Sequence, residues 1–122
     1  LAGDLGTAKR LARDFPDTKL IVAHIGQYKC TNEPLIDDFI AVAQNHDNVW
    51  LDACGVVMTY KIGEAANRVG AERVMFGTDG PHTKPDLVNY ARYAIRQIEM
   101  LDISDSDKEM VLGGAVQRLL EL

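Results

Sequence analysis

The sequence lacks any long uninterrupted hydrophobic run. Across its 122 residues, no stretch approaches the ~18 consecutive apolar residues that a membrane-spanning helix needs. It also lacks the basic segment followed by a short apolar stretch that marks a secretory signal. We therefore predict no membrane partner and a cytoplasmic location.

Cysteine, positive charge and nucleotide-binding motifs are scarce as well. The two cysteines, Cys30 and Cys54, form neither a CxxC pair nor a disulfide framework, so we expect two reduced thiols. The net charge of −5 is opposite in sign to that of a protein that binds a phosphate backbone, and no nucleic-acid partner is expected. Glycine motifs with the spacing of a dinucleotide or phosphate loop are absent, which argues against a nucleotide cofactor.

What the sequence does contain is a regular alternation of short apolar runs and amphipathic stretches. Each apolar run ends at a polar residue or a glycine, which is typical of buried parallel strands. The first run is predicted to be buried on both faces. The predicted strands cover residues 20–23, 49–54 and 73–79, and the predicted helices cover residues 5–15, 33–45, 62–69, 87–101 and 104–119.

This order predicts an α/β fold with a parallel sheet covered by helices. Both an open doubly wound sheet and a stretch of a βα barrel fit it. An intact barrel takes roughly 250 residues, so three strands are less than half of one. The chain opens at Leu1 inside an amphipathic pattern, and we expect one partial barrel domain over residues 1–122. The missing strands would come from absent sequence or from a second copy, so we expect association with the missing half or a homo-oligomer.

Two ionisable residues stand at the tips of predicted strands, where active sites of βα folds form. His24 ends the first strand and Asp79 the third. His24 is either a core histidine satisfied by a backbone carbonyl or a metal ligand or proton carrier. Asp79 either opens an Asx turn or holds a divalent metal and accepts a proton from its water. Together the two residues suggest hydrolysis of a small-molecule substrate.

Three further residues are weaker candidates. His82, in the loop after Asp79, either contacts substrate or is solvated. Cys54 either lines the cavity or is a buried, inert thiol. Asp52 either points inward or caps a neighbouring loop.

Four segments carry a family resemblance: Val22-Ala23-His24-Ile25-Gly26, residues 48–52, residues 70–81 and residues 112–120. Together they resemble the carboxyl-terminal half of the amidohydrolase-2 branch of the metal-dependent hydrolases. This resemblance implies strands six to eight of a distorted (β/α)8 barrel with one divalent metal, often zinc. It also implies hydrolysis or non-oxidative decarboxylation of a small carboxylated, lactone or amide-like substrate.

Residue by residue, His24 resembles the sixth-strand histidine that contacts the metal-bound water or the substrate. Asp79 resembles the eighth-strand aspartate that serves as metal ligand and proton acceptor. The family's HxH motif and its fifth-strand histidine have no counterpart here, so the implied metal site is incomplete and the chain alone is expected to be inactive. Two alternatives stay open: a non-catalytic half-barrel that self-associates through its sheet edges, and a small doubly wound domain that binds an anion at a helix amino terminus.

Overall fold

Three parallel strands form the centre of the fold. The computed structural model describes residues 4–29, 31–80 and 87–122. The strands β1 (Leu20–Val22), β2 (Val49–Asp52) and β3 (Val74–Met75) lie side by side in the order β1-β2-β3. Both pairings are parallel, so the chain crosses over between neighbouring strands. The parallel α/β prediction is confirmed, and an order without a reversal favours a barrel segment over a doubly wound sheet.

Helices precede, separate and follow the strands, and their starts match the capping residues in the sequence. Asp4 accepts a hydrogen bond from Gly6 N at 3.0 Å, and Ser104 Oγ accepts one from Asp107 N at 3.1 Å. No helix in the described ranges has the length and apolar character needed to cross a bilayer. The helices are α1 (Leu5–Asp14), α2 (Glu33–Asn45), α3 (Tyr60–Val69), α4 (Leu87–Glu99), α5 (Asp105–Glu109) and α6 (Ala115–Leu120).

The end of the chain differs from the single helix predicted there. A wide helical turn, Met110–Gly114, separates α5 from α6. In this turn the carbonyl of Val111 accepts a hydrogen bond from Phe76 N at 2.9 Å. This bond ties the segment directly after the two-residue strand β3 to the turn.

The two faces of the sheet are covered unequally. On one face Val49, Leu51 and Val74 are completely buried beneath the helices. On the other face Trp50 is half-buried and Ile21 is 51% exposed. The prediction that the first strand is buried on both faces is therefore wrong at Ile21, because no described element covers that side of β1.

One buried charge holds two of the outer helices together. The side chain of Lys61 on α3 is 5% exposed, and its Nζ lies 2.9 Å from Asp37 Oδ1 on α2 and 2.7 Å from Glu64 Oε2. The hydrogen bond to Glu64 raises the pKa of Lys61, burial works against that shift, and Asp37 adds to it. The pairing keeps the ammonium charged in a position that otherwise suits an apolar residue.

Replacing Lys61 tests this pairing. Lys61→Ala removes both the ion pairs and the buried aliphatic stem, so we expect the free energy of unfolding in urea to fall by about 1–3 kcal/mol. Lys61→Met keeps the stem and should lose less. Because folding raises the pKa of Lys61, the charge contributes fully below its ordinary value of 10.5 and less as the pH rises above it. The difference between wild type and Lys61→Met should thus stay constant across neutral pH.

Lys9→Ala, at an exposed position on α1, is the matched control and should change stability by less than about 0.5 kcal/mol. Equal stability of Lys61→Ala and Lys9→Ala would show that the buried pairing contributes nothing.

Candidate functional site

Three side chains meet at the carboxyl ends of the strands. His24 follows β1, Cys54 follows β2 and Asp79 follows β3. Each offers one metal-binding atom, and these three atoms all lie within 4.8 Å of one another. Residues that are far apart in the sequence converge because parallel strands end at the same edge of their sheet. The structure thus brings His24 and Asp79 together, as their positions at the tips of predicted strands indicate.

The turn Ala23–Gly26 aims His24 at this point. His24 and Ile25 both have left-handed backbones, with φ of 60° and 46°. Histidine tolerates this region, but the β-branched Ile25 is disfavoured there. Gly26 follows with φ of 86°, and a Cβ on it would lie 2.2 Å from the ring of Phe39. The chain therefore turns sharply against α2, and this turn leaves the imidazole at the end of the strand.

The imidazole of His24 is held by the loop that follows β2. Its Nδ1 lies 2.9 Å from the carbonyl oxygen of Cys54 and 3.2 Å from Cys54 Sγ. A carbonyl only accepts hydrogen bonds, so the geometry assigns the proton to Nδ1 and the lone pair to Nε2. The ring of Tyr28 lies edge-on, 4.9 Å from the imidazole centre. Satisfaction by a backbone carbonyl thus holds for one nitrogen, and the other keeps its capacity to accept.

Cys54 is a buried thiol that keeps its proton. Its Sγ donates to Asp52 Oδ2 at 2.7 Å, and Asp52 Oδ1 accepts from Cys54 N at 3.0 Å. Burial raises the pKa of Cys54, and the hydrogen bond to Asp52 raises it further. These observations support the alternative of an inert thiol rather than a nucleophile. They also show that Asp52 caps the end of its own strand.

Asp79 occupies a strained position beyond β3. Its φ is 51°, in the left-handed region that aspartate tolerates better than most residues. The turn after it is supported by Thr78, whose Oγ1 accepts a hydrogen bond from Gly80 N at 3.3 Å. The carboxylate of Asp79 is half-buried and faces the cluster with His24 and Cys54.

The chemistry of these donors fits a divalent metal ion. A carboxylate oxygen and an imidazole nitrogen are ordinary ligands of zinc and manganese, whereas a thiol binds metal only after losing its proton. The described residues therefore offer two ready donors and a third within reach. A complete zinc site needs at least three protein ligands, so further ligands would have to join them.

The family model for amidohydrolases matches residues 1–122, the whole chain. The chain belongs to the amidohydrolase family. This result confirms the resemblance seen in the sequence. No curated protein matches the chain significantly.

Solved structures share the fold of this amidohydrolase chain. An amidohydrolase from Burkholderia multivorans with bound zinc is 18% identical, with 97% of this chain and 49% of that chain covered, at a TM-score of 0.72. A dihydroxybenzoic acid decarboxylase from a Polaromonas species was solved with bound manganese and the inhibitor 2-nitroresorcinol. It is 23% identical, with 97% of this chain and 40% of that chain covered, at a TM-score of 0.65. The 5-carboxyvanillate decarboxylase of Sphingomonas paucimobilis is 18% identical, with 96% of this chain and 39% of that chain covered, at a TM-score of 0.66. The chain spans half or less of each.

Several residues around the candidate site were missed or left undecided by sequence reasoning. Tyr28 packs on His24, and its ring lies 2.6 Å from where a Cβ on Gly55 would be. Tyr90 on α4 interacts electrostatically with residues of the cluster. Burial raises the pKa of Tyr90, and Tyr28 and Asp79 raise it further. Asp52 accepts hydrogen bonds from the thiol and the backbone N–H of Cys54. Aromatic residues shortly after His24 and near the start of α4 were the available signal.

Two residues considered in the sequence lie outside the described part of the chain. His82, predicted to contact substrate, falls in the range 81–86, and Cys30 falls between the two ranges that end at 29 and begin at 31. Their predicted roles stay predictions.

The turn before α2 gives a direct test of how His24 is placed. Gly26→Ala should lower the free energy of unfolding by at least about 2 kcal/mol, because alanine is strained at this φ and its Cβ would overlap Phe39. Gly113→Ala is the matched control, since a Cβ there meets nothing within 4 Å, and it should be neutral or stabilising by up to about 1 kcal/mol. Chemical denaturation measures both. A Gly26→Ala protein as stable as wild type would contradict the described turn.

Proposed function

We propose that this chain supplies the carboxylate and an auxiliary imidazole of a metal-dependent amidohydrolase site. The convergence of His24, Cys54 and Asp79 at the carboxyl ends of the strands, in a chain of this family, carries the proposal. The reaction would be hydrolysis or non-oxidative decarboxylation of a small carboxylated, lactone or amide-like molecule. Two of the similar structures are decarboxylases by name.

In this proposal β1, β2 and β3 are strands six, seven and eight of a (β/α)8 barrel, and residues 1–122 form one partial barrel domain. Two observations support a segment of a barrel, whereas the numbering of its strands follows from the family resemblance alone. The strands are parallel and lie in sequence order, and the chain covers between 39% and 50% of the similar solved chains. The remaining metal ligands would come from the strands that complete the barrel, so association with that missing half is part of the proposal. The cytoplasmic location stays a prediction.

Asp79 is the residue proposed to hold the metal ion. Zinc is our first choice, and the bound metals named for the similar structures are zinc and manganese. When bound, such an ion polarises a carbonyl group and lowers the pKa of a water molecule. Asp79 is half-buried and lies next to a histidine. This position is consistent with a carboxylate that binds a cation while it is partly shielded from water.

Asp79 and His24 would have different roles in proton transfer. Asp79 accepts the proton that a water molecule gives up as it attacks the substrate. His24 accepts a hydrogen bond from that water, or contacts the substrate, through the nitrogen that is not bound to Cys54. Cys54 and, from outside the described residues, His82 would line the substrate cavity. The thiol of Cys54 takes no part as a nucleophile.

Zinc titration of the purified chain by calorimetry tests the proposal. We expect one ion per chain with micromolar affinity, and at least about tenfold weaker binding by Asp79→Asn, because a neutral amide replaces a charged ligand. Asp17→Asn, at an exposed position, should bind zinc as wild type does. Equal affinities of wild type and Asp79→Asn would refute Asp79 as a metal ligand, whereas no binding to any of the three would show that this chain holds no ion without the ligands of the missing half.

A second candidate is a half-barrel that acts by self-association without catalysis. The exposure of Ile21 on the uncovered sheet face favours it, since an apolar side chain on a strand is normally covered. Both outer strands also present edges that can pair with another strand. A second copy of the chain would cover this face and these edges.

Analytical ultracentrifugation separates this candidate from an isolated monomer. We expect a concentration-dependent dimer whose dissociation constant rises at least about tenfold in Ile21→Lys, because a charge would be buried in the interface. Val88→Lys places the same charge at an exposed apolar position on α4 and should leave the dimer unchanged. A monodisperse monomer at all concentrations would exclude self-association through this face.

A further inference from the structure

Beyond the metal-site residues, the structure assigns a positioning role to Asp52: through the thiol of Cys54 it holds the imidazole of His24 in the tautomer that carries its proton on Nδ1. This inference rests on the proposed function only for its purpose, which is to leave Nε2 able to accept a hydrogen bond or bind an ion. The geometry that supports it involves only described residues of this chain.

The first step is the fixed orientation of the Asp52 carboxylate. Asp52 is the last residue of β2, and its Oδ1 accepts a hydrogen bond from Cys54 N at 3.0 Å. A Cβ on Gly77 would lie 2.8 Å from Oδ1, so the absence of a side chain there lets β2 and the segment after β3 approach closely. The carboxylate is therefore held from two sides, and its second oxygen points at the sulphur.

The second step is the direction of the thiol proton. Asp52 Oδ2 lies 2.7 Å from Cys54 Sγ, and an ionised carboxylate can only accept hydrogen bonds. The thiol must therefore donate to Asp52. Its sulphur lone pairs are left for the other neighbour, His24 Nδ1, at 3.2 Å.

The third step is the imidazole itself. The backbone oxygen of Cys54, at 2.9 Å, and the sulphur lone pairs both converge on Nδ1 of His24. Two acceptors on one nitrogen stabilise the tautomer that has its proton there. A hydrogen-bond acceptor on one imidazole nitrogen is the means by which proteins commonly fix which nitrogen presents its lone pair.

Asp52→Asn reverses the direction of the hydrogen bond between residue 52 and the sulphur of Cys54. The side-chain amide of asparagine can donate to the sulphur, which frees the thiol to donate toward Nδ1 and disfavours a proton on that nitrogen. Oδ1 remains able to accept from Cys54 N, so the strand end keeps its cap. A residue that only caps the strand would leave the tautomer of His24 unchanged.

The experiment is nitrogen NMR of the imidazole rings in the labelled chain at about pH 9, where ordinary imidazoles are neutral. The chain has three histidines, and a His24→Gln variant assigns the signals of His24. In wild type we expect the Nδ1–H tautomer to dominate. In Asp52→Asn we expect the tautomer ratio to move toward Nε2–H by about three- to tenfold, the range that one modest hydrogen bond commands.

Asp47→Asn is the matched control, because Asp47 is fully exposed and precedes the first residue of β2. It should leave the His24 signals unchanged. If Asp52→Asn does not fold, Cys54→Ala provides the test, because it removes the sulphur and keeps the Cys54 backbone contacts. It should move the ratio in the same direction. A wild-type ring protonated on Nε2, or a ratio that neither variant changes, would overturn the inference.

These measurements use no metal ion, so they separate the inference from the proposed function. The expected tautomer together with equal zinc affinities of wild type and Asp79→Asn would reject Asp79 as a metal ligand and leave the role of Asp52 intact. Zinc binding by a protein whose His24 ring is protonated on Nε2 would reject the role of Asp52 and leave the metal site intact.

Discussion

The hydrogen bond between His24 Nδ1 and the carbonyl of Cys54 is the interaction on which the site depends. At 2.9 Å it joins the loop after β1 to the loop after β2, and it fixes which imidazole nitrogen can accept. The parallel pairing of the strands makes this contact possible, because it places successive loops at one edge of the sheet. Asp79 reaches the same edge from β3. A sheet of another topology would separate these residues.

Backbone strain is concentrated at this edge and is balanced by burial. His24, Ile25 and Asp79 all adopt left-handed backbones, which cost of order 1–3 kcal/mol each. Ile25 is completely buried, and Phe39 packs where a side chain on Gly26 would be. The core therefore holds the turn in a conformation that the isolated segment would avoid. Such strain at strand tips is consistent with a site that needs its polar groups in fixed positions.

The sequence was sufficient for features that depend on local patterns. Apolar periodicity locates most of the helices, and His24 and Asp79 at the tips of predicted strands identify the edge where the two residues meet. Features set by distant contacts were beyond it. The exposure of Ile21 depends on what covers the sheet, and the wide turn near Gly114 accepts a hydrogen bond from Phe76, which is distant in the sequence. The link from Asp52 through Cys54 depends on side-chain directions, which one sequence does not reveal.

The central claim is that a cation-binding point lies between three loops of this chain. Crystals of the chain soaked with manganese, with data collected at a wavelength where manganese scatters anomalously, test it most directly. The account predicts an anomalous peak beside the carboxylate of Asp79, with the imidazole of His24 and the sulphur of Cys54 grouped around the same point. A map with no peak at Asp79, or with His24 and Asp79 on opposite sides of the sheet, would contradict it.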